Sequence, residues 1–183
     1  MKLKDSPFDE QSKMKAYELF NDNLIDAIEV GTVKGLQQIH GYIFAGIFEY
    51  AGKIRDKNIS KDGFVFANFQ YLSSTLSKVE EMSEETFDDI LNKYIEMNIA
   101  HPFMDGNGRA MRIWLDLILK KRLKKCVNWV LVNKIDYLNA MRLSPSQPQV
   151  IRKLIANALT KSIYDRELII KGIDYSYYYE EIN

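Results

Sequence analysis

Twelve consecutive residues, His101-Pro102-Phe103-Met104-Asp105-Gly106-Asn107-Gly108-Arg109-Ala110-Met111-Arg112, gather groups that could do chemistry. Glycines on either side of Asn107 let the backbone N–H groups of a tight loop come close to an anion. A helix starting where the loop ends adds the positive end of its dipole. Arg109 and Arg112 are three residues apart and project from one side of that helix. Two guanidinium forks above a ring of N–H groups suit a polyphosphate better than a single carboxylate. Asp105 lies in the same loop, and one carboxylate working with phosphate oxygens is a usual way to hold Mg²⁺. His101 is the only nearby group able to accept a proton near neutral pH. Base, metal carboxylate, anion loop and charge clamp, in that order, point to phosphoryl-type chemistry.

Such a loop needs rigid elements on both sides, and helical periodicity supplies them. Ser83 caps a helix whose first turn holds Glu84 and Glu85 and whose apolar positions Phe87, Ile90, Leu91, Tyr94 and Ile95 carry it to about Ala100. A second helix begins near Gly108 and runs through Trp114, Leu115 and Ile118. Elsewhere, Thr32 caps a helix with a buried face at Leu36, Ile39, Ile43 and Ile47, extending to about Tyr50. In it His40, at helical spacing between Leu36 and Phe44, reads as a packed or surface histidine. Leu72, Leu76 and Val79 mark a shorter helix, and Pro148 opens another whose stripe is Ile151, Leu154, Ile155, Ala158 and Leu159. Asp165 or a neighbour opens the last helix, which Gly172 is placed to end.

One region departs from this pattern. Between Ile54 and Ala67, Asp62-Gly63 separates Asn58-Ile59-Ser60 from Phe64-Val65-Phe66. Asp-Gly tolerates the positive φ angles of a type I′ turn and is a strong hairpin signal. The sequence therefore predicts one all-α domain over residues 1–183 carrying a lone β-hairpin.

Bulk properties narrow the function classes. Lys+Arg and Asp+Glu both number 25, so no overall field attracts nucleic acid or an anionic membrane. The local run Lys120-Lys121-Arg122-Leu123-Lys124-Lys125 fits a helix C-terminus better than a nucleic-acid patch. A single cysteine, Cys126, forms no intramolecular disulfide, and with two histidines there is no Cys/His zinc set. The first residues, Met1-Lys2-Leu3-Lys4-Asp5, lack the apolar run of a signal peptide, and no segment is apolar enough to span a bilayer. A cytoplasmic location is the expectation.

The twelve-residue stretch resembles the signature of the Fic family, in which His, Phe, Asp or Glu, Gly, Asn, Gly, Arg and a second Arg occupy these relative positions. The resemblance extends to the preceding helix, the hairpin and the C-terminal tail. It implies a helical Fic bundle with a hairpin flap at about 54–67 and an enzyme that moves AMP from ATP to a hydroxyl of a target protein. His101 then takes the proton of the target hydroxyl as its oxygen attacks the α-phosphorus. Phe103 anchors the loop in the core. Asp105 holds Mg²⁺ (or Mn²⁺), and Gly106, Asn107 and Gly108 cradle the α- and β-phosphates. Arg109 contacts the β-phosphate and Arg112 clamps the γ-phosphate. Lys61, Asp62, Gly63 and Phe64 belong to the flap, which pairs with an extended target segment through main-chain bonds.

In some members of the family a helix with Ser or Thr, three residues, then Glu blocks productive ATP binding. Ser176 and Glu180 match this spacing, which implies an inhibitory helix over about 174–183 with Glu180 as the partner of Arg112. Glu181 stands where those relatives have Gly or Asn. Of Tyr177, Tyr178 and Tyr179, Tyr177 is the candidate for self-modification, and the others pack the tail. The resemblance leaves other activities open: phosphocholine transfer, and removal of AMP with Glu180 directing water. Gly108 argues against the phosphotransferases of the Doc type, which carry lysine there. A helical binding module without activity is the non-enzyme alternative, opposed by His101, Asp105 and both arginines. Expected partners are a protein presenting a Tyr, Ser or Thr hydroxyl, the ATPase subunits of type II topoisomerases among them, and a second copy of the chain in a homo-oligomer.

Overall fold

The structure is a computed structural model that describes residues 7–181. Its helices are α1 (Pro7–Asn21), α2 (Val33–Ile43), α3 (Phe69–Glu80), α4 (Phe87–Ala100), α5 (Asn107–Leu123), α6 (Lys134–Leu143), α7 (Pro148–Ala158) and α8 (Arg166–Tyr178). The core is organised on α5, which packs between α2 and α4. Ala110, Trp114, Leu115, Ile118 and Leu119 of α5 are fully buried, and the Trp114 indole N–H donates to Thr32 O at 3.0 Å. A helix buried on most of its circumference loses any single apolar stripe, which is why α5 looks weakly amphipathic in sequence.

Two short strand pairs accompany the helices. Strands β1 (Ser60–Lys61) and β2 (Phe64–Val65) pair in the register Lys61↔Phe64, with Asp62 and Gly63 at φ of 50° and 78°. This is the two-residue hairpin that Asp-Gly predicts. A second pair is an addition to the lone hairpin expected: β3 (Cys126–Val127) runs antiparallel to β4 (Leu159–Thr160) and closes the segment holding α6 and α7. The basic run ends α5, with Lys120, Lys121 and Arg122 in its last turn. No helix among the described residues is long and apolar enough to cross a membrane.

Several boundaries differ from the sequence reading. Helix α2 is capped by Thr32 but stops at Ile43, because Gly46 turns left-handed (φ 76°) and a series of i→i+3 turns carries the chain on to Gly52. Helix α4 is capped by Thr86, in a capping box with Asp89, rather than by Ser83. Glu84 is then outside the first turn and instead receives the buried Lys93 at 2.7 Å and Arg122 at 2.8 Å. Asp165 caps α8 as expected, but Gly172 lies within that helix. A Cβ there would meet Trp129 Cδ1 at 3.3 Å, so the glycine serves close packing and not termination. The expected inhibitory helix at 174–183 is the last turn of α8, which closes at Tyr178. Glu180 follows in a turn, and Ile182 and Asn183 lie outside the described residues, as do Met1 to Ser6.

Candidate active site

Helix α4 ends at His101, whose φ of 48° turns the chain out of the helix. Phe103 then plugs the core, fully buried, and Asn107 ties the loop to it: its Oδ1 accepts from Phe103 N–H at 2.9 Å and its Nδ2 donates to Phe103 O at 2.8 Å. Gly106 takes φ of 76° against the Phe44 ring, 2.4 Å from where a Cβ would sit. His40 fastens the loop from behind. Gly52 N–H donates to its Nδ1 at 2.9 Å, which leaves Nε2–H to donate to Asp105 O at 2.8 Å. Its ring stacks on Phe103 at 3.8 Å, and burial pushes its pKa down to about 4, so this support is neutral. Helical hydrogen bonding in α5 starts with Ala110 N–H to Gly106 O at 3.2 Å. The N–H groups of residues 107–109 therefore form the open first turn of a helix.

The loop borders a cavity of about 620 Å³. One wall is the hairpin, with Lys61, Asp62, Phe64 and Phe66; another is α6, with Tyr137, Asn139 and Arg142. His101, Asp105, Gly108 and Arg112 form its floor, and Glu180 closes one end. His101 Nδ1–H donates to Asn98 O at 3.1 Å, which leaves Nε2 unprotonated and turned to the cavity. Its ring stacks on Phe66 at 3.6 Å and 13°. Burial lowers its pKa to about 4 and the Asn98 hydrogen bond opposes this, while Lys61 and Arg55 lower it further. Asp105 is largely exposed; its Oδ1 accepts from Gly106 N–H at 2.6 Å, and the other oxygen is available to a cation.

The arginines are already engaged. Arg112, 2% exposed, donates from Nε to Ser176 Oγ and from Nη2 to Ser176 O and Glu180 Oε1, each at 2.7 Å. Lys61 reaches Glu180 Oε2 at 3.5 Å. Burial alone would raise the Glu180 pKa, but Arg112 first and then Lys61 outweigh it and hold the carboxyl at about 2. A Cβ on Gly108 would stand 2.4 Å from Glu180 Oε1. The carboxylate thus lies directly over the glycine of the anion loop. Arg109 turns away from the cavity wall: it pairs with Asp9 of α1 at 2.6 Å, with Asp105 Oδ1 at 3.7 Å, and its guanidinium lies over Phe44.

His101, Asp105, Gly108, Arg112, Glu180 and most of the flap residues therefore meet at one cavity. Gly106 and Asn107 sit buried behind it, and the Asn107 side chain spends its oxygen and one of its two amide hydrogens on Phe103 within the loop. Gly63 lies at the hairpin tip, where a Cβ would meet nothing within 4 Å. Tyr177 is buried against α1, its hydroxyl 2.6 Å from Ser12 Oγ, and burial raises its pKa to about 12. Tyr179 is buried as well and donates to the carbonyls of Trp129 and Val132, whereas Tyr178 is exposed. Sequence reasoning missed the α6 residues Tyr137, Asn139 and Arg142, and the hydrogen bonds that make His40 a support of the loop. No local motif marks either; only the fold places them.

Solved structures share this architecture. The BepC protein of Bartonella tribocorum, solved with bound AMPPNP, superimposes with a TM-score of 0.70 over 84% of each chain at 18% identity. An N-terminal Fic domain from Bartonella quintana, solved with bound ADP, gives 0.66 over 85% of each chain at 19% identity. At such identities the likeness establishes the fold. The Fic/DOC family model matches residues 31–119, and the chain belongs to that family. Among curated relatives, the protein adenylyltransferase VbhT of Bartonella schoenbuchensis is 27% identical over 114 residues, 55% of this chain and 23% of the relative. The probable protein adenylyltransferase Fic of Salmonella typhimurium is 31% identical over 104 residues, 49% of this chain and 52% of the relative. The chain thus spans about half the length of the second relative and less than a quarter of the first.

Proposed function

We propose that the protein transfers AMP from ATP to a hydroxyl side chain of another protein, and that the tail holds this activity down. The observation that carries the reading is the position of His101. Its neutral ring presents an unprotonated Nε2 to a cavity whose floor is an open helix N-terminus and a buried arginine. Relatives named protein adenylyltransferases support the same class of reaction.

Nε2 of His101 accepts the proton of the target hydroxyl while the oxygen attacks the α-phosphorus; pyrophosphate leaves. The N–H groups at 107–109 and the Arg112 guanidinium offset charge on the phosphates. Asp105, exposed beside the loop with one oxygen uncommitted, fits a Mg²⁺ or Mn²⁺ ion shared with phosphate oxygens. Such an ion supplies charge neutralisation at the leaving pyrophosphate. The hairpin holds the target as an added strand, so Lys61, Asp62, Gly63 and Phe64 place the hydroxyl mostly through backbone bonds. Arg109, now paired with Asp9, would exchange that carboxylate for the β-phosphate.

Glu180 and Ser176 take Nε and Nη2 of Arg112, and the Glu180 carboxylate would repel a γ-phosphate brought to that guanidinium. ATP then binds with its α-phosphorus out of line. Tyr177 becomes a self-modification site only when α8 leaves α1, and its modified form could not return to the space beside Ser12. The test is incubation of the Glu180→Gly protein with α-labelled and γ-labelled ATP and a bacterial lysate. Label entering protein from the α position alone supports AMP transfer; label from the γ position points to phosphotransfer and overturns it.

A further inference from the structure

One buried charge plays no part in this chemistry. Arg55 lies just before the hairpin, 5% exposed, and no carboxylate pairs with it among the described residues. Its guanidinium bonds only to carbonyls. Nε donates to His101 O at 2.7 Å, Nη1 to Lys57 O at 2.6 Å, and Nη2 to Ala67 O at 2.5 Å and Ala100 O at 3.0 Å. Its own N–H donates to Pro102 O at 2.8 Å.

These acceptors fall into two groups. Lys57 and Ala67 are the roots of the hairpin, one before β1 and one after β2. Ala100 and His101 end α4, where carbonyls lack helical partners and carry the negative end of the dipole. A cation there is favourable without a counter-ion. Only a planar fork with fixed donor directions reaches four carbonyls at once; an ammonium is a point charge with three. His101 adds a reason for such a brace, because its left-handed backbone is uncommon for a residue with a side chain. Asn98 fixes the ring, and Arg55 fixes the carbonyl.

We infer that Arg55 is the positioning residue that sets the distance between the target-docking hairpin and His101, by holding the hairpin roots and the end of α4 on one guanidinium. The Phe66 ring, stacked on His101, reports that distance from the hairpin side. Arg55 has no bond to the segment from Gly106 to Arg112, so nucleotide binding is independent of it. A target hydroxyl carried by the hairpin would shift relative to Nε2 if the roots swung free. A misplacement of about 1 Å costs on the order of 10²-fold in rate. The kinetic part of this inference rests on the proposed AMP transfer; the geometric part does not.

The experiment compares Arg55→Gln and Arg55→Lys, each in the Glu180→Gly background, with that parent. Three quantities are read: binding of a non-hydrolysable ATP analogue, amide hydrogen exchange at Phe66 and Ala67, and the His101 ring proton resonances. The stacked Phe66 ring should displace those resonances in the parent. Arg55→Gln is expected to bind the analogue as the parent does. Its two amides should exchange about tenfold faster or more as the hairpin opens locally. Its His101 resonances should move toward unstacked values, and α-label incorporation into lysate proteins should fall on the order of 10²-fold. Arg55→Lys should lie between. Parent-like resonances and exchange in Arg55→Gln overturn the inference, as does loss of analogue binding together with shifted resonances and faster exchange, which would mark a general structural residue. Should Arg55→Gln not fold, Arg55→Lys decides by the same readings, and parent-like values there overturn the role of the fork. If the parent transfers no AMP at all, the function reading fails alone, and resonances and exchange still test Arg55.

Discussion

The two ends of the cavity are prepared in opposite ways. At the His101 end the imidazole is neutral, its ring is fixed through Nδ1 and by Phe66, and Nε2 faces open space. At the Arg112 end every donor turned to the tail is engaged, and Glu180 covers Gly108. The local environment explains the contrast. Burial removes charge from an imidazole, which suits a base, whereas a buried guanidinium keeps its charge and must find acceptors, and at Arg112 the tail supplies a hydroxyl, a carbonyl and a carboxylate. One end is built to wait; the other is built to be contested.

Breaking the ready end should have the largest effect. His101→Ala in the Glu180→Gly background is expected to lower AMP transfer by about 10²–10⁴-fold while ATP-analogue affinity stays as in the parent. Near-parent transfer would remove His101 from the mechanism. Asp105→Ala should resemble excess chelator in the parent, and adding chelator to that variant should change little further. Full activity of the parent in chelator would reject the metal role.

Breaking the contested end should act in the other direction. Glu180→Gly removes the carboxylate from Arg112 and from the space over Gly108 and should raise transfer on the order of 10²-fold, the cost of misalignment removed. A variant no faster than wild type would reduce the tail to packing. This point substitution tests the idea better than truncation, because Tyr177 and Tyr179 are buried and a chain cut before Ser176 also loses core.

The pH dependence separates the ends more finely. His101 titrates at about 4 when folded, below the ordinary 6.5, so the base form persists as pH falls. Transfer by Glu180→Gly should stay level from pH 8 to about 5 and decline as His101 protonates through about pH 4. A midpoint near 6.5 would mean a solvated, unrestrained ring. In wild type the Glu180 carboxyl holds to about 2, so acid should not release the tail within that window. The smallest effect expected is that of Lys61→Ala. Its pair with Glu180 is long and exposed on the lysine side, so wild-type transfer should rise only about twofold. A rise equal to that of Glu180→Gly would make the flap, and not Arg112, the main holder of the tail.

The contrast also divides what the sequence discloses. The loop from His101 to Arg112 is legible because its determinants are neighbours in the chain: glycine geometry, a helix start and charges at helical spacing. The hairpin is legible for the same reason, through Asp62 and Gly63. Helix α1 is not, because it packs by Ser12, Ala16 and Leu19 and shows little apolar stripe. Helix α6 is blurred in another way: Tyr137, Ala140 and Met141 are buried together with Lys134, while Ile135 and Leu138 are exposed, so apolar residues stand on both faces. The supports of the site, His40 and Arg55, act on carbonyls, which no side-chain pattern records. The Ser176 and Glu180 spacing finds the contact with Arg112 but misplaces the helix end, since the turn at Tyr179 brings Glu180 round without another helical turn.

Gly108 has a consequence for variation among sequences of this kind. Its Cβ position falls 2.4 Å from the Glu180 carboxylate, and under the proposed function the phosphates of ATP would need the same space, so a methyl group there would press on either. Any replacement at 108 therefore changes two traits at once, what the loop accepts and whether the tail can stay docked. Selection on one cannot act without the other. A side chain at 108 would therefore force the Glu180 carboxylate to shift along with the Arg112 guanidinium that holds it.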